Sequence, residues 1–173
     1  MPRYVVTGGL GTGKTSVISM LAREVETVPE PARELIAEHR AAGGEPTLDR
    51  QPEVFVAKLI SRSIENHRSA SEVVTTVFDR GLPDCVAYAA INGIDVKPAF
   101  EASARHRYEN PVFVAPPWKS IYVNDDMRRA TFAQAEAFYE EVVAAYDGLG
   151  YEMVELPRAS VDARVAFIEA HLP

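Results

Sequence analysis

Residues 8–15 read Gly8-Gly9-Leu10-Gly11-Thr12-Gly13-Lys14-Thr15, a complete G-x-x-x-x-G-K-[ST] stretch. It follows the apolar run 4–6 and opens into a segment of helical period from Ser16 to Leu21. Strand, glycine-rich turn and helix are the context in which such a stretch binds phosphate. The glycines let successive backbone N–H groups point inward, and the helix presents its positive end to the anion. The stretch therefore predicts a phosphate-binding loop and a nucleoside triphosphate ligand.

The loop also predicts individual roles. Lys14 can reach the β- and γ-phosphates, and the Thr15 hydroxyl can ligate Mg²⁺. The predicted nucleotide-binding residues are Gly9, Leu10, Gly11, Thr12, Gly13, Lys14, Thr15 and Ser16.

Composition limits what the rest of the chain can be. Its 173 residues suffice for one domain, predicted over 1–173, and are too few for two substantial ones. A net charge of −7 argues against a nucleic-acid surface, which needs clustered Lys and Arg. Cys85 is the only cysteine, so no intrachain disulfide forms and a cytoplasmic location is expected. No apolar run reaches the ~18 residues of a membrane span, and none that resembles a signal peptide precedes the first strand.

Hydrophobic periodicity predicts strands that alternate with helices. The predicted strands are 3–7, 25–29, 73–78, 112–115 and 151–156, and the predicted helices are 14–24, 31–41, 83–92 and 98–107, with others beginning at Pro52, Thr131 and Ser160. This order predicts an α/β three-layer sandwich, a parallel sheet of about five strands with helices on both faces. Ligands in such sheets bind beyond the carboxyl ends of the strands. Residues 116–130 contain proline and charge with little periodicity and are predicted to form a lid-like loop.

Glu30 and Arg33 follow the second predicted strand. A carboxylate there can take the proton from a substrate hydroxyl that attacks the γ-phosphate, and Arg33 could bind the substrate or neutralise charge. The alternative is a glutamate that stabilises a helix N-terminus and pairs with the arginine three residues on.

Asp79 ends the most apolar predicted strand, the usual place for the magnesium-side acid of a phosphate-loop enzyme. Arg80 follows it, and Gly81 is interpreted as permitting a tight turn. Asp84 is a candidate substrate contact or a residue that stabilises the next helix. For Asp79 the alternative is a cap on the following turn.

Arg128 lies in the lid-like loop, where an arginine could clamp the triphosphate and exclude water. Solvated loop charge is the alternative. Trp118 could stack on a base or cap the sheet edge. The four histidines show no metal-ligand spacing.

With these residues placed, the chain resembles the predicted AAA-type ATPase/kinase family of P-loop proteins related to the nicotinamide riboside kinase domain, and more distantly deoxynucleoside kinases. The resemblance runs nearly end to end and is carried by Val28-Pro29-Glu30-Pro31-Ala32-Arg33, Phe78-Asp79-Arg80-Gly81-Leu82-Pro83-Asp84, Asn124-Asp125-Asp126-Met127-Arg128 and Leu149-Gly150-Tyr151. It implies the P-loop NTPase fold.

The same resemblance implies roles for single residues. Glu30 would be the catalytic base, Asp79 a magnesium ligand and Arg80 a contact to substrate or phosphate. Arg128 would be the lid arginine that touches the nucleotide. The chain departs from the deoxynucleoside kinase pattern in that Gly81 stands where those enzymes have serine, and it shares no substrate-ring motif with them.

Two functions follow as expectations. The first is a kinase that transfers the γ-phosphate of ATP, with Mg²⁺, to a hydroxyl of a nucleoside-like or other small molecule. In it Lys14, Glu30, Arg80 and Arg128 carry the chemistry, and Glu30, Arg33, Arg80 and Asp84 contact the acceptor. The second is a nucleotide-binding switch or ATPase that acts on a protein partner. The sequence does not separate ATP from GTP, and a small kinase of this type could be a homodimer.

Overall fold

Five parallel strands form one sheet in the computed structural model, which describes residues 2–43, 51–122 and 130–173. The strands are β1 (Arg3–Gly8), β2 (Glu26–Val28), β3 (Thr76–Asp79), β4 (Val112–Ala115) and β5 (Met153–Glu155). Their order across the sheet is β2-β3-β1-β4-β5, so the strand that leads into residues 8–15 is central. The predicted parallel sheet is confirmed.

Helices alternate with these strands along the chain. They are α1 (Lys14–Leu21), α2 (Pro31–Ala41), α3 (Pro52–Ser69), α4 (Leu82–Ile91), α5 (Lys97–Arg105), α6 (Phe132–Gly148) and α7 (Val161–Glu169). A 3-10 turn covers Lys119–Ile121. Caps begin α6 and α7 as the sequence predicts: the hydroxyl of Thr131 accepts from Gln134 N–H, and that of Ser160 from Ala163 N–H.

Side chains of alternating direction on each strand build two cores. Val5 on β1 and Phe78 on β3 pack into the core that contains α2 to α6. Val6 on β1 and Val77 on β3 point to the other face, where α1 and α7 pack. Because alternate side chains of a strand point to opposite faces of the sheet, both faces are apolar and both are covered by helices. This explains why the central strands are continuous apolar runs in the sequence.

The start of β3 differs from the prediction of 73–78. Val73 and Val74 are exposed by 78% and 45%, and the strand begins at Thr76. The reason is register: Thr76 pairs with Arg3, the first residue of β1, so earlier residues have no partner on that strand. In addition, α1 ends at Leu21 and not at residue 24.

Position 81 requires glycine because there is no room for a side chain, and not because of its backbone conformation. Its φ of −124° is open to any residue. A Cβ on Gly81, however, would lie 2.8 Å from the Tyr146 hydroxyl, 2.9 Å from the Tyr108 ring and 3.1 Å from a Val5 methyl. The interpretation of Gly81 as a turn residue is therefore corrected. Glycine is needed there because two tyrosines pack closely over the start of α4.

Within the described ranges, no helix combines the length and the apolar character that spanning a bilayer requires.

Replacing Gly81 by alanine is expected to lower the free energy of unfolding by about 1–3 kcal/mol, the usual cost of overpacking a core. Urea denaturation measures it. Gly148→Ala is the matched control, since no atom of the described residues lies within 4 Å of its added Cβ, and alanine near the end of α6 should be neutral or stabilising. Equal stability of the two variants would contradict the packing argument.

His67 on α3 predicts how stability depends on pH. Its ring is buried against the rings of Phe78 and Tyr108, and Nε2 lies 2.9 Å from the carbonyl oxygen of Arg107. Burial lowers the pKa of His67, the hydrogen bond with the Arg107 carbonyl opposes that shift, and the charges of Arg3, His106 and Arg68 also lower the pKa. The folded state therefore disfavours the protonated ring.

Stability contributed by the neutral His67 ring should be complete above the ordinary histidine pKa of about 6.5 and should fall as the pH is lowered through the folded-state pKa. His67→Gln should weaken this loss. The measurement is the urea midpoint from pH 7.5 to 5.0 for the wild type, for His67→Gln and for His39→Gln as control. An identical pH slope for all three would refute the assignment.

Candidate active site

The loop after β1 is built on glycines that the structure requires. Gly8 has a φ of +125°, and a Cβ there would lie 2.1 Å from the carbonyl oxygen of Ala115. The neighbouring Gly9 N–H donates to that same oxygen at 3.0 Å. The first residues of the loop are therefore pressed against the end of β4, which only glycine at position 8 allows.

Gly13 turns the loop into α1. It has a φ of +76°, and no side chain of the described residues caps the helix that follows. The first N–H groups of an uncapped helix, together with the helix dipole, favour an anion. The start of α1 is thus suited to hold phosphate.

Lys14 is buried and folded back over the loop. Its Nζ donates to the carbonyl oxygen of Gly9 at 2.5 Å and to the Thr12 hydroxyl at 3.2 Å. An ammonium group held by two neutral acceptors can form stronger, charge-assisted hydrogen bonds with phosphate oxygens. Lys14 also lines a cavity beside the loop, and its contact with phosphate stays a prediction.

A cavity of about 640 Å³ opens beside the loop, a size usual for small-molecule sites. Its walls come from the loop, from the end of β2, from residues 118–121 and from the start of α7. The residues that line it are Gly11, Thr12, Gly13, Lys14, Thr15, Ser16, Glu30, Arg33, Trp118, Ile121, Ala159, Ser160, Val161 and Arg164. Of the predicted nucleotide-binding residues, Gly9 and Leu10 are not among them.

Glu30 reaches this cavity from the N-terminus of α2. Its side chain is 3% exposed, and two guanidinium groups hold the carboxylate. Oε1 accepts from Arg80 Nε at 3.0 Å, and Oε2 accepts from Arg33 Nε at 3.2 Å. The structure thus brings Glu30 and Arg33 to the cavity beside the phosphate loop, and it also shows the ion pair between residues three apart that the alternative predicted.

Arg80 lies behind Glu30 and not in the cavity. Its side chain is 2% exposed, and its Nη1 donates to the carbonyl oxygen of Gly8 at 3.0 Å and to Asp84 Oδ1 at 2.7 Å. Its guanidinium also lies over the ring of Phe138, 5.1 Å from the ring centre. The predicted contact of Arg80 with phosphate or substrate stays a prediction. Here Nε and Nη1 are directed at protein acceptors, and Nη2 is buried without a hydrogen-bond partner among the described residues.

Asp84 is saturated by protein donors. Oδ1 accepts from Thr7 at 2.6 Å and from Arg80, and Oδ2 accepts from Gly81 N–H at 3.0 Å and from the Tyr146 hydroxyl at 2.8 Å. A carboxylate with four such bonds has little capacity left for a ligand. The geometry favours the helix-stabilising alternative over the substrate contact.

Asp79, unlike Asp84, has a carboxylate oxygen that accepts no hydrogen bond from the described residues. It is buried at the end of β3, and its Oδ1 has no hydrogen-bond partner among the described residues. Burial raises the pKa of Asp79, while the charges of Lys14 and Arg80 oppose that shift. Asp79, Thr15 and Glu30 line a second cavity of about 270 Å³.

An unsatisfied carboxylate oxygen that shares a cavity with a threonine hydroxyl fits Mg²⁺, which takes oxygen ligands and needs only one or two from the protein when phosphates supply others. No cluster of three or more metal-binding side chains exists within the described part of the chain. Thr15 and Asp79 therefore suit a magnesium ion that is held jointly with a nucleotide.

The two remaining candidates, Trp118 and Arg128, have different outcomes. Trp118 lines the nucleotide cavity, whereas Arg128 falls outside the described residues. Sequence reasoning missed Arg164, which is buried on α7 and lines the same cavity. The sequence indicates Arg164 in one way only: it is an arginine on the inward, otherwise apolar face of the last predicted helix.

Comparisons with solved structures agree on the fold. NadR protein in complex with NR is 20% identical with a TM-score of 0.77; the match covers 98% of this chain and 50% of that one. The chain thus spans about half the length of NadR. Thymidylate kinase from Ehrlichia chaffeensis is 16% identical with a TM-score of 0.62, covering 99% and 100% of the two chains. Deoxyadenosine kinase from M. mycoides with bound dATP is 12% identical with a TM-score of 0.64, covering 99% and 98%.

At these identities the likeness shows the fold alone, an α/β fold with a five-stranded parallel sheet and helices. No curated protein sequence matches the chain. The model of the AAA domain family matches residues 3–164, nearly the whole length. On the strength of that match, together with the loop and sheet described above, the chain belongs to the AAA domain family.

Proposed function

We propose that this protein is a kinase that transfers the γ-phosphate of ATP to a hydroxyl of a small, nucleoside-like molecule. The observation that carries the proposal is the position of Glu30, whose carboxylate lines the same cavity as Lys14 and Thr15. A nucleotide switch requires only the loop, whereas a kinase also requires a base within reach of the acceptor hydroxyl. Two of the solved structures with this fold are named as kinases of a nucleotide and a nucleoside.

The chemistry asked of the chain is mainly positioning and charge neutralisation. The acceptor oxygen would attack the γ-phosphorus while the bond from that phosphorus to the leaving oxygen of ADP breaks. Glu30 would receive the hydroxyl proton, and Lys14 would exchange its contacts with Gly9 and Thr12 for phosphate oxygens. Arg33 would neutralise charge at the same wall.

Arg80 would act through Glu30. Its Nε bond holds the carboxylate in place, so the base does not rotate away from the acceptor. Magnesium bound by Thr15 and Asp79 would neutralise phosphate charge.

Glu30→Gln should lower kcat by about 10²- to 10⁴-fold, the usual contribution of a general base, and should leave the Kd for ATP nearly unchanged. The amide of this variant keeps an oxygen that can accept from Arg80, so the fold should survive. The assay is ADP release with Mg²⁺ and ATP or GTP, with and without a panel of nucleosides, pyridine ribosides and small alcohols.

Glu38→Gln is the matched control, because Glu38 is exposed and pairs with Arg62 on the surface, away from the cavity. Strong stimulation by one acceptor, lost in Glu30→Gln alone, is the expected result. Slow turnover indifferent to every acceptor and to Glu30→Gln would overturn the kinase and favour the switch.

Asp79→Asn tests the magnesium assignment. The Mg²⁺ concentration for half-maximal activity should rise about tenfold or more, as expected when a group that orients or ligates a metal is lost. The thermal midpoint should rise, because a neutral amide replaces a carboxyl whose charged form is disfavoured by burial. Asp147→Asn on the exposed end of α6 is the control. An unchanged Mg²⁺ requirement would refute the role.

A further inference from the structure

Arg164 is a buried cation that the proposed chemistry does not use. It lies on α7, which packs against α1, the helix that follows the phosphate loop. Only 3% of the residue is exposed, yet it lines the cavity beside the loop. Burying a guanidinium is costly unless its charge is compensated.

The protein compensates that charge incompletely. Nη1 donates to the carbonyl oxygen of Thr12 at 2.8 Å, but Nε is buried without a hydrogen-bond partner, and no carboxylate pairs with Arg164 within the described residues. Burial lowers the pKa of Arg164 from the arginine value, although an arginine stays protonated at neutral pH. An anionic ligand would supply the missing counter-charge.

The order of the strands in the sheet indicates which part of a nucleotide would supply the counter-charge for Arg164. Glu30 follows β2 at one edge of the sheet, α7 follows β5 at the opposite edge, and the phosphate loop follows β1 in the centre. If the γ-phosphate is directed toward Glu30, the α-phosphate and the nucleoside extend toward β5. Arg164 lies on that side, close to Gly13, whose added Cβ would be 3.2 Å from Nη1.

We propose that Arg164 is a nucleotide-binding residue that contacts the α-phosphate of the triphosphate while it anchors the Thr12 carbonyl of the loop. One guanidinium can do both, because it carries five donors in a fixed plane. This inference rests on the proposed function only in requiring that the cavity take a nucleotide, and its test needs no phosphate acceptor.

The test is a binding titration that follows Trp118. This residue is the only tryptophan of the chain and lies in the cavity wall, so its fluorescence should report ligand binding. The ligands are ATP and pyrophosphate, each with Mg²⁺. ATP can occupy the α-, β- and γ-phosphate positions, whereas pyrophosphate favours the β- and γ-positions at the loop.

Arg164→Gln should weaken ATP binding about tenfold or more, the range expected for one charge-assisted hydrogen bond, and pyrophosphate binding less than about threefold. Arg105→Gln, which removes the same charge from an exposed side chain that pairs with Glu101, should change neither. Arg164→Lys keeps the charge without the planar donors and should give an intermediate loss for ATP; it carries the test if the glutamine variant does not fold.

Equal losses for ATP and pyrophosphate would mean that Arg164 acts only through the shape of the loop, which would overturn the α-phosphate contact. Unchanged ATP affinity would overturn it as well. A wild type that binds neither ligand would refute the proposed function itself, whereas a wild type that binds both, with no effect of Arg164→Gln, would refute this inference alone.

Discussion

The buried guanidinium of Arg80 is the interaction on which the site depends. It joins the end of β1 through Gly8, the start of α2 through Glu30 and the first turn of α4 through Asp84. Two carboxylates and a carbonyl oxygen accept from its Nε and Nη1 away from water, while Nη2 has no hydrogen-bond partner among the described residues. Loss of one partner from such a cluster usually costs about 3–5 kcal/mol. Arg80 also has a φ of +70°, a conformation that a non-glycine residue adopts only when its surroundings hold it. The same ion-pair cluster therefore positions Glu30 at the cavity and connects β1, α2 and α4.

Three buried charged groups around the site are left incomplete within the described residues, and Arg80 is itself one of them through its Nη2. Asp79 has a buried oxygen without a partner, and Arg164 has a buried Nε in the same condition within the described residues. Both lie on cavities beside the phosphate loop. Such groups reduce stability, and phosphate and a metal, if bound as proposed, would complete these two.

Much of the fold could be predicted from local pattern. The loop at 8–15, the helix from Pro31 and the cap at Thr131 are each encoded within a few residues, and the structure confirms them. The beginning of β3 could not be predicted, because it depends on which residues of β1 and β2 stand opposite. Gly81 was misread for a related reason. Its need for space comes from Tyr108 and Tyr146, which are distant in sequence.

The sequence by itself determined the chemistry of the phosphate loop, the alternation of strands and helices, and the presence of Glu30 and Asp79 at strand ends, since each depends on neighbouring residues or on period. Only the tertiary structure decided how charges are shared. It placed Arg80 behind Glu30 and gave Asp84 four hydrogen-bond donors. It also brought Arg164 of the last helix into contact with the loop. The physical reason is that burial and ion pairing are properties of groups that meet across the sheet, and no local pattern records which groups will meet.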